Sequence, residues 1–314
     1  FRELAAPELE AYVMEILTRN LADRFRAGHD VDFSYVSEEG GRFRVNVFRK
    51  DSGVGAVFRT IPSEVPTLES LALPPIVKKL CDYHQGMILV TGSTGTGKST
   101  TLAAMIDMLN TNRKLNIISL EDPIEFVHRS KQSQVVQREL GTHLPTFAEG
   151  VRAAMREDPD VILVGELRDL ETISTAITAA EMGILVMATL HTNGAAATVD
   201  RIVNAFPADK QNHVRTMLST SLRGVVSQQL ITRKGSPGRV AALEVLINTP
   251  AAANLIRQGK IDQLESTMQA GAAAGMRTMD SAIEQLLEQG LISGRSAYEK
   301  GINKAKFEAG REQD

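Results

Sequence analysis

The sequence predicts an α/β protein in two parts, a small α+β module followed by a larger domain whose helices cover a mostly parallel sheet. Three observations carry this. From Gly86 onward, short apolar runs alternate with helix-length amphipathic segments, the pattern of strands joined by helical crossovers. Before that point the texture is different, and the short stretch Ile61-Pro62-Ser63-Glu64-Val65-Pro66, with two prolines, separates the two regions as a semi-rigid linker. Finally, a glycine-rich turn joins the first apolar run of the larger part directly to a helix. The expected boundaries are a first domain over residues 1–61, a linker over 62–66 and a second domain over 67–314 that ends in helices.

Taken in order, residues 1–24 carry Leu9, Val13, Ile16, Leu17 and Leu21 at helical spacing and predict one helix. Val31–Val36 alternates as a strand, Glu38-Glu39-Gly40-Gly41 reads as a turn, and Arg42–Phe48 and Gly55–Arg59 supply two further strands. In the larger part, strands are expected at Met87–Thr91, Leu115–Glu121, Val161–Glu166 and Ile184–Leu190. Helices are expected at Lys98–Leu109, at Phe147–Glu157 with a Thr146/Glu149 capping box, and at Leu170–Met182 before Gly183. Beyond about residue 207 the pattern reads as mainly helical, with Val214, Leu218, Leu222, Val225 and Val226 as one apolar stripe. A short β-like pair at Arg239–Ile247 interrupts it, and a last helix from Met279 turns Ile283, Leu286 and Leu287 inward and stops at Gly290.

Composition narrows the function classes. The 314 residues are 43% hydrophobic and 23% charged, as in soluble globular proteins. The net charge of −3 draws the chain neither to nucleic acid nor to an acidic membrane surface. Cys81 stands alone, which excludes an internal disulfide and a multi-thiolate zinc site. No apolar run reaches the roughly 18 residues of a membrane span; the most apolar window, Thr175–Leu190, is broken by Glu181 and Gly183. No signal peptide is visible from Phe1 onward.

Gly92-Ser93-Thr94-Gly95-Thr96-Gly97-Lys98-Ser99 fits G-x-x-x-x-G-K-[ST] between an apolar strand and a helix. The glycines let backbone N–H groups converge on phosphate oxygens at a helix N-terminus. With Thr100 behind it, this loop is expected to bind ATP, Lys98 reaching the β- and γ-phosphates and the Ser99 hydroxyl binding Mg²⁺. Val161–Glu166 is an apolar strand ending in an acid, with Gly165 where many phosphate-loop proteins place aspartate. Glu166 is the expected Mg²⁺ partner, through water. Glu121, Asp122 and Glu125 crowd the end of a second strand; residue chemistry alone leaves open a metal-proximal site or an acidic turn. His191, in Thr189-Leu190-His191-Thr192-Asn193, stands where a γ-phosphate sensor would sit, although a lone histidine is more often structural than functional. Arg44 and Arg59 lie on strands of the first domain and are candidates to bring positive charge to the phosphates.

Together, the glycine-rich loop, Glu121–Phe126 (EDPIEF), Arg156–Thr172 (REDPDVILVGELRDLET) and Thr189–Asn193 (TLHTN) resemble the bacterial type II/type IV secretion ATPases, and within them the pilus-retraction branch. The resemblance covers nearly the whole chain. It implies a PAS-like first domain, whose opening strand and helix would precede Phe1, a RecA-like second domain, and a homohexameric ring. It implies a catalytic base at Glu125, an atypical Walker B at Gly165-Glu166, a His box at His191, and arginines Arg44 and Arg59 that reach phosphate when the first domain closes on nucleotide. The implied task is ATP-driven pilus retraction in the cytoplasm, peripheral to the inner membrane. The implied partners are the pilus platform protein and, indirectly, pilin, with no nucleic acid. Assembly and secretion motors of the superfamily commonly carry a four-cysteine zinc module that a chain with Cys81 alone cannot build. The alternatives are an accessory retraction paralogue, an assembly or secretion ATPase of the same superfamily, a RecA-like nucleic-acid-binding protein, which would be expected to carry a basic surplus, and a nucleotide-gated scaffold without turnover, against which the intact lysine, hydroxyl and glutamates argue. One segment departs from the retraction pattern A-I-R-N-L-I-R-E: Ala251-Ala252-Ala253-Asn254-Leu255-Ile256-Arg257-Gln258 keeps Asn-Leu-Ile-Arg but has Ala252, Ala253 and Gln258 elsewhere. That departure bears on coupling to force, not on hydrolysis.

Overall fold

A computed structural model describes residues 4–38, 40–62 and 64–312. Phe1, Glu39 of the expected turn and Ser63 of the expected linker lie outside the described residues. The chain forms two compact units, Phe1–Val65 with Asp122–Val127, and Pro66–Glu121 with His128–Asp314.

In the first unit, helices α1 (Ala6–Ile16) and α2 (Arg19–Arg26) precede strands β1 (Val31–Val36), β2 (Arg42–Lys50) and β3 (Gly53–Ile61). The strands form an antiparallel meander in the order β1-β2-β3. The single helix expected over 1–24 is instead two, because Leu17 and Thr18 are extended, with ψ of 133° and 159°. This break lets Val13 and Leu17 on one side and Ala22 and Phe25 on the other reach one core with Val31, Val45, Val47 and Val54.

The second unit begins with α3 (Pro75–Leu80), β4 (Gly86–Thr91), α4 (Lys98–Asn112), β5 (Asn116–Glu121) and β6 (Gln134–Glu139). It continues with α5 (Phe147–Ala154), β7 (Val161–Val164), α6 (Leu170–Glu181), β8 (Leu185–Leu190), α7 (Ala195–Asn204) and α8 (Gln211–Ser221). Then come β9 (Leu222–Thr232), β10 (Arg239–Ile247), α9 (Pro250–Gln258), α10 (Leu264–Ala270), α11 (Met279–Glu288), α12 (Gly294–Lys300) and α13 (Lys304–Phe307). Among the described residues, seven strands form one sheet, ordered β10-β9-β4-β8-β7-β5-β6 and parallel except for β10. The α/β class and the alternating strand–helix order are those the sequence predicts.

Every residue of β4, β7 and β8 is buried, which is why these strands read as unbroken apolar runs. Period two sorts their side chains between two cores. Met87, Leu89, Ile162 and Val186 face α5, α6 and α8. Ile88, Val90, Val161 and Met187 face α3 and α4.

The helical stripe expected through Leu222, Val225 and Val226 is corrected: only Val214 and Leu218 are helical, and the other three begin β9. Apolar residues at 218, 222, 225 and 226 satisfy a helical period, yet the segment is taken up between β4 and β10, where both faces are buried. Gly224 marks the strand, since a Cβ there would lie 2.7 Å from Leu80 Cδ2 and 3.0 Å from the Leu246 carbonyl. Thr146 caps α5 as expected, its hydroxyl accepting from the Glu149 N–H at 3.1 Å. The Val161 strand ends at Val164, two residues short of Glu166.

Candidate nucleotide site

In a parallel sheet, ligands bind beyond the carboxyl ends of the strands. There the glycine-rich loop follows β4, Glu166 follows β7 and His191 follows β8. Gly92, Gly95 and Gly97 all take positive φ, 140°, 79° and 89°. At Gly92 a Cβ would fall 2.4 Å from the Gln228 carbonyl oxygen, and at Gly97 2.8 Å from Gln228 Nε2. Those two glycines are therefore demanded by backbone conformation and by space together.

Lys98 opens α4 and is 8% exposed. Its ammonium donates to the carbonyls of Gly92 at 2.8 Å and Ser93 at 2.9 Å, so the buried charge is held inside the loop's own curve. Ser99 is exposed at the helix start and Thr100 is half-buried. The loop is tied to the next strand ends: the Ser93 hydroxyl donates to Asn193 Oδ1 at 3.1 Å, and Thr94 Oγ1 lies 3.5 Å from His191 Nδ1.

Glu166 and His191 are brought together. His191 Nε2 lies 3.3 Å from Glu166 Oε2, and Arg168 Nε donates to that oxygen at 2.7 Å. With the proton on Nε2, the imidazole donates to the carboxylate and offers Nδ1 to the Thr94 hydroxyl. The Thr189 hydroxyl donates to the Gly165 carbonyl at 2.5 Å, locking the β7 turn to β8. A glycine suits position 165 because a Cβ would come within 3.2 Å of the Leu120 carbonyl oxygen. Glu121 is held by its surroundings, accepting from the Ser119 hydroxyl at 2.5 Å and from Gln137 Nε2 at 2.9 Å.

The remaining candidates belong to the first unit. Glu125 lies in Asp122–Val127, and Arg44 Nη1 stands 3.8 Å from its Oε1. Arg44 and Arg59 are direct cross-strand partners, so their side chains share one sheet face. Like charges placed so are unfavourable, and Glu125 offsets that of Arg44.

Sequence reasoning missed Gln228, which buttresses the phosphate loop. It is 3% exposed, donates from Nε2 to the Thr96 carbonyl at 2.8 Å and accepts from the Thr101 hydroxyl at 2.8 Å. The sequence signal was weak, because Gln228 stands in the polar run Ser227-Gln228-Gln229 of β9. Gln228→Ala leaves a part-buried carbonyl and a buried hydroxyl without this partner, and should lower unfolding stability by about 1–3 kcal/mol in chemical denaturation.

The donor set fits Mg²⁺ with a triphosphate: an exposed hydroxyl, a carboxylate and glycine-lined backbone N–H groups are hard oxygen ligands and anion donors. Among the described residues no helix is long and apolar enough to cross a membrane.

A protein of Neisseria gonorrhoeae called "Twitching motility protein" is 50% identical over 301 residues, covering 96% of this chain and 80% of the relative. The "Type IV pilus retractation ATPase PilT" of Pseudomonas aeruginosa is 50% identical over 304 residues, covering 95% and 88%. A crystal structure of the pilus retraction motor PilT with bound ADP superposes with a TM-score of 0.89 at 44% identity, over 96% of this chain and 85% of that one. The family described as "Type II/IV secretion system protein" matches residues 35–299. With half of its residues shared along nearly its full length, the chain belongs to the type II/IV secretion system protein family.

Proposed function

We propose that this chain hydrolyses ATP and uses the energy to power retraction of a type IV pilus. One observation carries the reading: a complete phosphate loop with its lysine buried in the cradle, closed on one side by the Glu166–His191 pair. The similarity to a retraction ATPase supports the task. In this reading Gly92–Thr100 hold the phosphates, with Lys98 on the β- and γ-oxygens. Ser99 holds Mg²⁺ and Glu166 does so through water; the metal supplies charge neutralisation at the phosphates. Glu125 polarises a water for in-line attack on the γ-phosphorus. Arg44 and Arg59 offset charge that develops on the transferring group. His191 reports the state of the γ-phosphate to the loop after β8.

The proposal includes a homohexameric ring at the cytoplasmic face of the inner membrane. It has a PAS-like domain over residues 1–61, a linker over 62–66 and a RecA-like domain over 67–314. The ring acts on the pilus platform protein and, through it, on pilin. Closure of the small domain on nucleotide and its reopening after release would convert turnover into motion.

Two measurements test this. Purified chain should release phosphate from Mg-ATP, and expression in a strain lacking pilus retraction should restore twitching. Release without twitching would keep the ATPase and overturn the retraction task, and would point to Ala252, Ala253 and Gln258. Ala252 is fully buried in α9, whereas Gln258 is exposed and donates to Asn254 Oδ1 at 3.3 Å.

A further inference from the structure

Glu244 is the lone acid of an apolar run, Val240 to Ile247, in β10. It is 5% exposed. Burial pushes its carboxyl above the usual range, against the pull of two backbone N–H groups. Oε1 accepts from the Ala195 N–H at 2.7 Å and Oε2 from the Met279 N–H at 3.1 Å. Ala195 opens α7, three residues after Thr192 of the His191 loop, and Met279 opens α11. One carboxylate thus satisfies otherwise orphaned donors at the starts of two helices far apart in sequence.

Both ends of this clamp lead onward. On the loop side, the neighbouring Gly194 N–H donates to the Ser227 hydroxyl at 2.8 Å. On the other side, Asp280 accepts from the Ile302 and Asn303 N–H groups at 2.7 and 2.9 Å, fixing the start of α11 to the segment after α12. A cavity of about 500 Å³ joins the two, with Ser93 and Thr96 of the phosphate loop, Asn193, Glu244, Met279 and Ile302 in its walls. An apolar residue would complete β10 without the cost of burying a charge. The carboxylate is accounted for by the two amides that it gathers.

We propose that Glu244 is a positioning residue for hydrolysis, fixing the loop that carries His191 and Asn193 and tying its position to the C-terminal helices. This rests on the ATPase reading above. The ties of Lys98 and Gln228 to the phosphate loop do not involve Glu244, so its effect on turnover is expected through the loop that carries His191.

The test is Glu244→Gln, which keeps shape and one acceptor but sets an NH₂ against the other N–H. Expected is a fall in kcat of about tenfold, with the affinity for a fluorescent ATP analogue within about twofold of wild type. In a His191→Ala background the same change should cost less than about twofold, because its effect passes through His191. Hydrogen exchange should rise together at 191–195 and 279–283. Ser227→Ala should raise it at 191–195 alone. Wild-type kcat in Glu244→Gln, multiplying effects in the double variant, or faster exchange confined to 279–283 would each overturn the proposal. If Glu244→Gln does not fold, Glu244→Asp, whose arm is one methylene shorter, is read in the same way. A wild-type chain that releases no phosphate sinks the ATPase reading, while the exchange experiment still decides whether the clamp exists.

Discussion

Lys98→Ala is expected to abolish ATP turnover, with kcat down by about 10²–10³ or more, the loss typical of removing one preorganised charge donor from a phosphoryl or oxyanion site. The structure explains why no neighbour can substitute. The lysine is 8% exposed and its ammonium is gripped by two loop carbonyls, of Gly92 and Ser93. It is therefore positioned by the same backbone that is proposed to bind the phosphates. The cradle depends on Gly92 and Gly97, where no side chain fits, so a displaced cation cannot be recovered by a shift of the loop. Lys98→Arg should fail nearly as completely, because a forked guanidinium is too large for the same enclosure. Nucleotide stabilisation gives a second readout. A ligand at a hundred times its Kd adds about 2.7 kcal/mol to unfolding stability; Mg-ATP should raise the melting temperature of wild type and have little effect on Lys98→Ala. A variant that hydrolyses ATP at more than about a tenth of the wild-type rate would remove Lys98 from the proposed chemistry.

What could be read from the sequence depended on how tightly chemistry restricts residue type. Gly92, Gly97 and Lys98 are each the only side-chain type that their conformation, space or charge permits, so the motif is visible as letters. Buried parallel strands such as β4 and β8 are visible for the same reason, since every position must be apolar. Features that rest on distant partners were not visible. Leu222, Val225 and Val226 satisfy a helical and an extended period equally, and the choice is made by pairing with β10, the next strand, and with β4, far away in sequence. Gln228 is lost among three consecutive polar residues and Glu244 looks like an interruption of an apolar run, until Thr96, Thr101, Ala195 and Met279 are found to be their partners. The break at Leu17-Thr18 likewise follows from a shared core that neither helix specifies alone. Nor could the grouping of Asp122–Val127 with the N-terminal residues be read from a run that follows a strand of the larger unit.

That grouping bears on the second large effect, expected for Glu125→Gln. Amide for carboxylate keeps the shape and removes the ability to take a proton, so kcat should fall by about 10²–10⁴, the usual contribution of a positioned general base. Glu125 also pairs with Arg44 at 3.8 Å, and a loss of activity could in principle come from that pair. Magnitude separates the two causes. The side chains of Arg44 and Glu125 are 38% and 43% exposed, and an ion pair so solvated contributes about 1 kcal/mol at most. Glu125→Gln should thus shift unfolding stability by less than about 1 kcal/mol while its turnover falls by orders of magnitude. Arg44→Ala breaks the same pair and keeps the carboxylate. If the pair were the cause, the double variant Glu125→Gln/Arg44→Ala would be no worse than either single change; with Glu125 as base and Arg44 at the transferring group, the two losses compound. If Glu125 is the base, Glu125→Gln stays inactive at every ionic strength, still binds Mg-ATP, and shows no burst of phosphate in a single turnover. Wild-type phosphate release from Glu125→Gln would move the role of base to another carboxylate, with Glu121 the neighbour to test; its ties to Ser119 and Gln137 make it a poorer acceptor for a water proton.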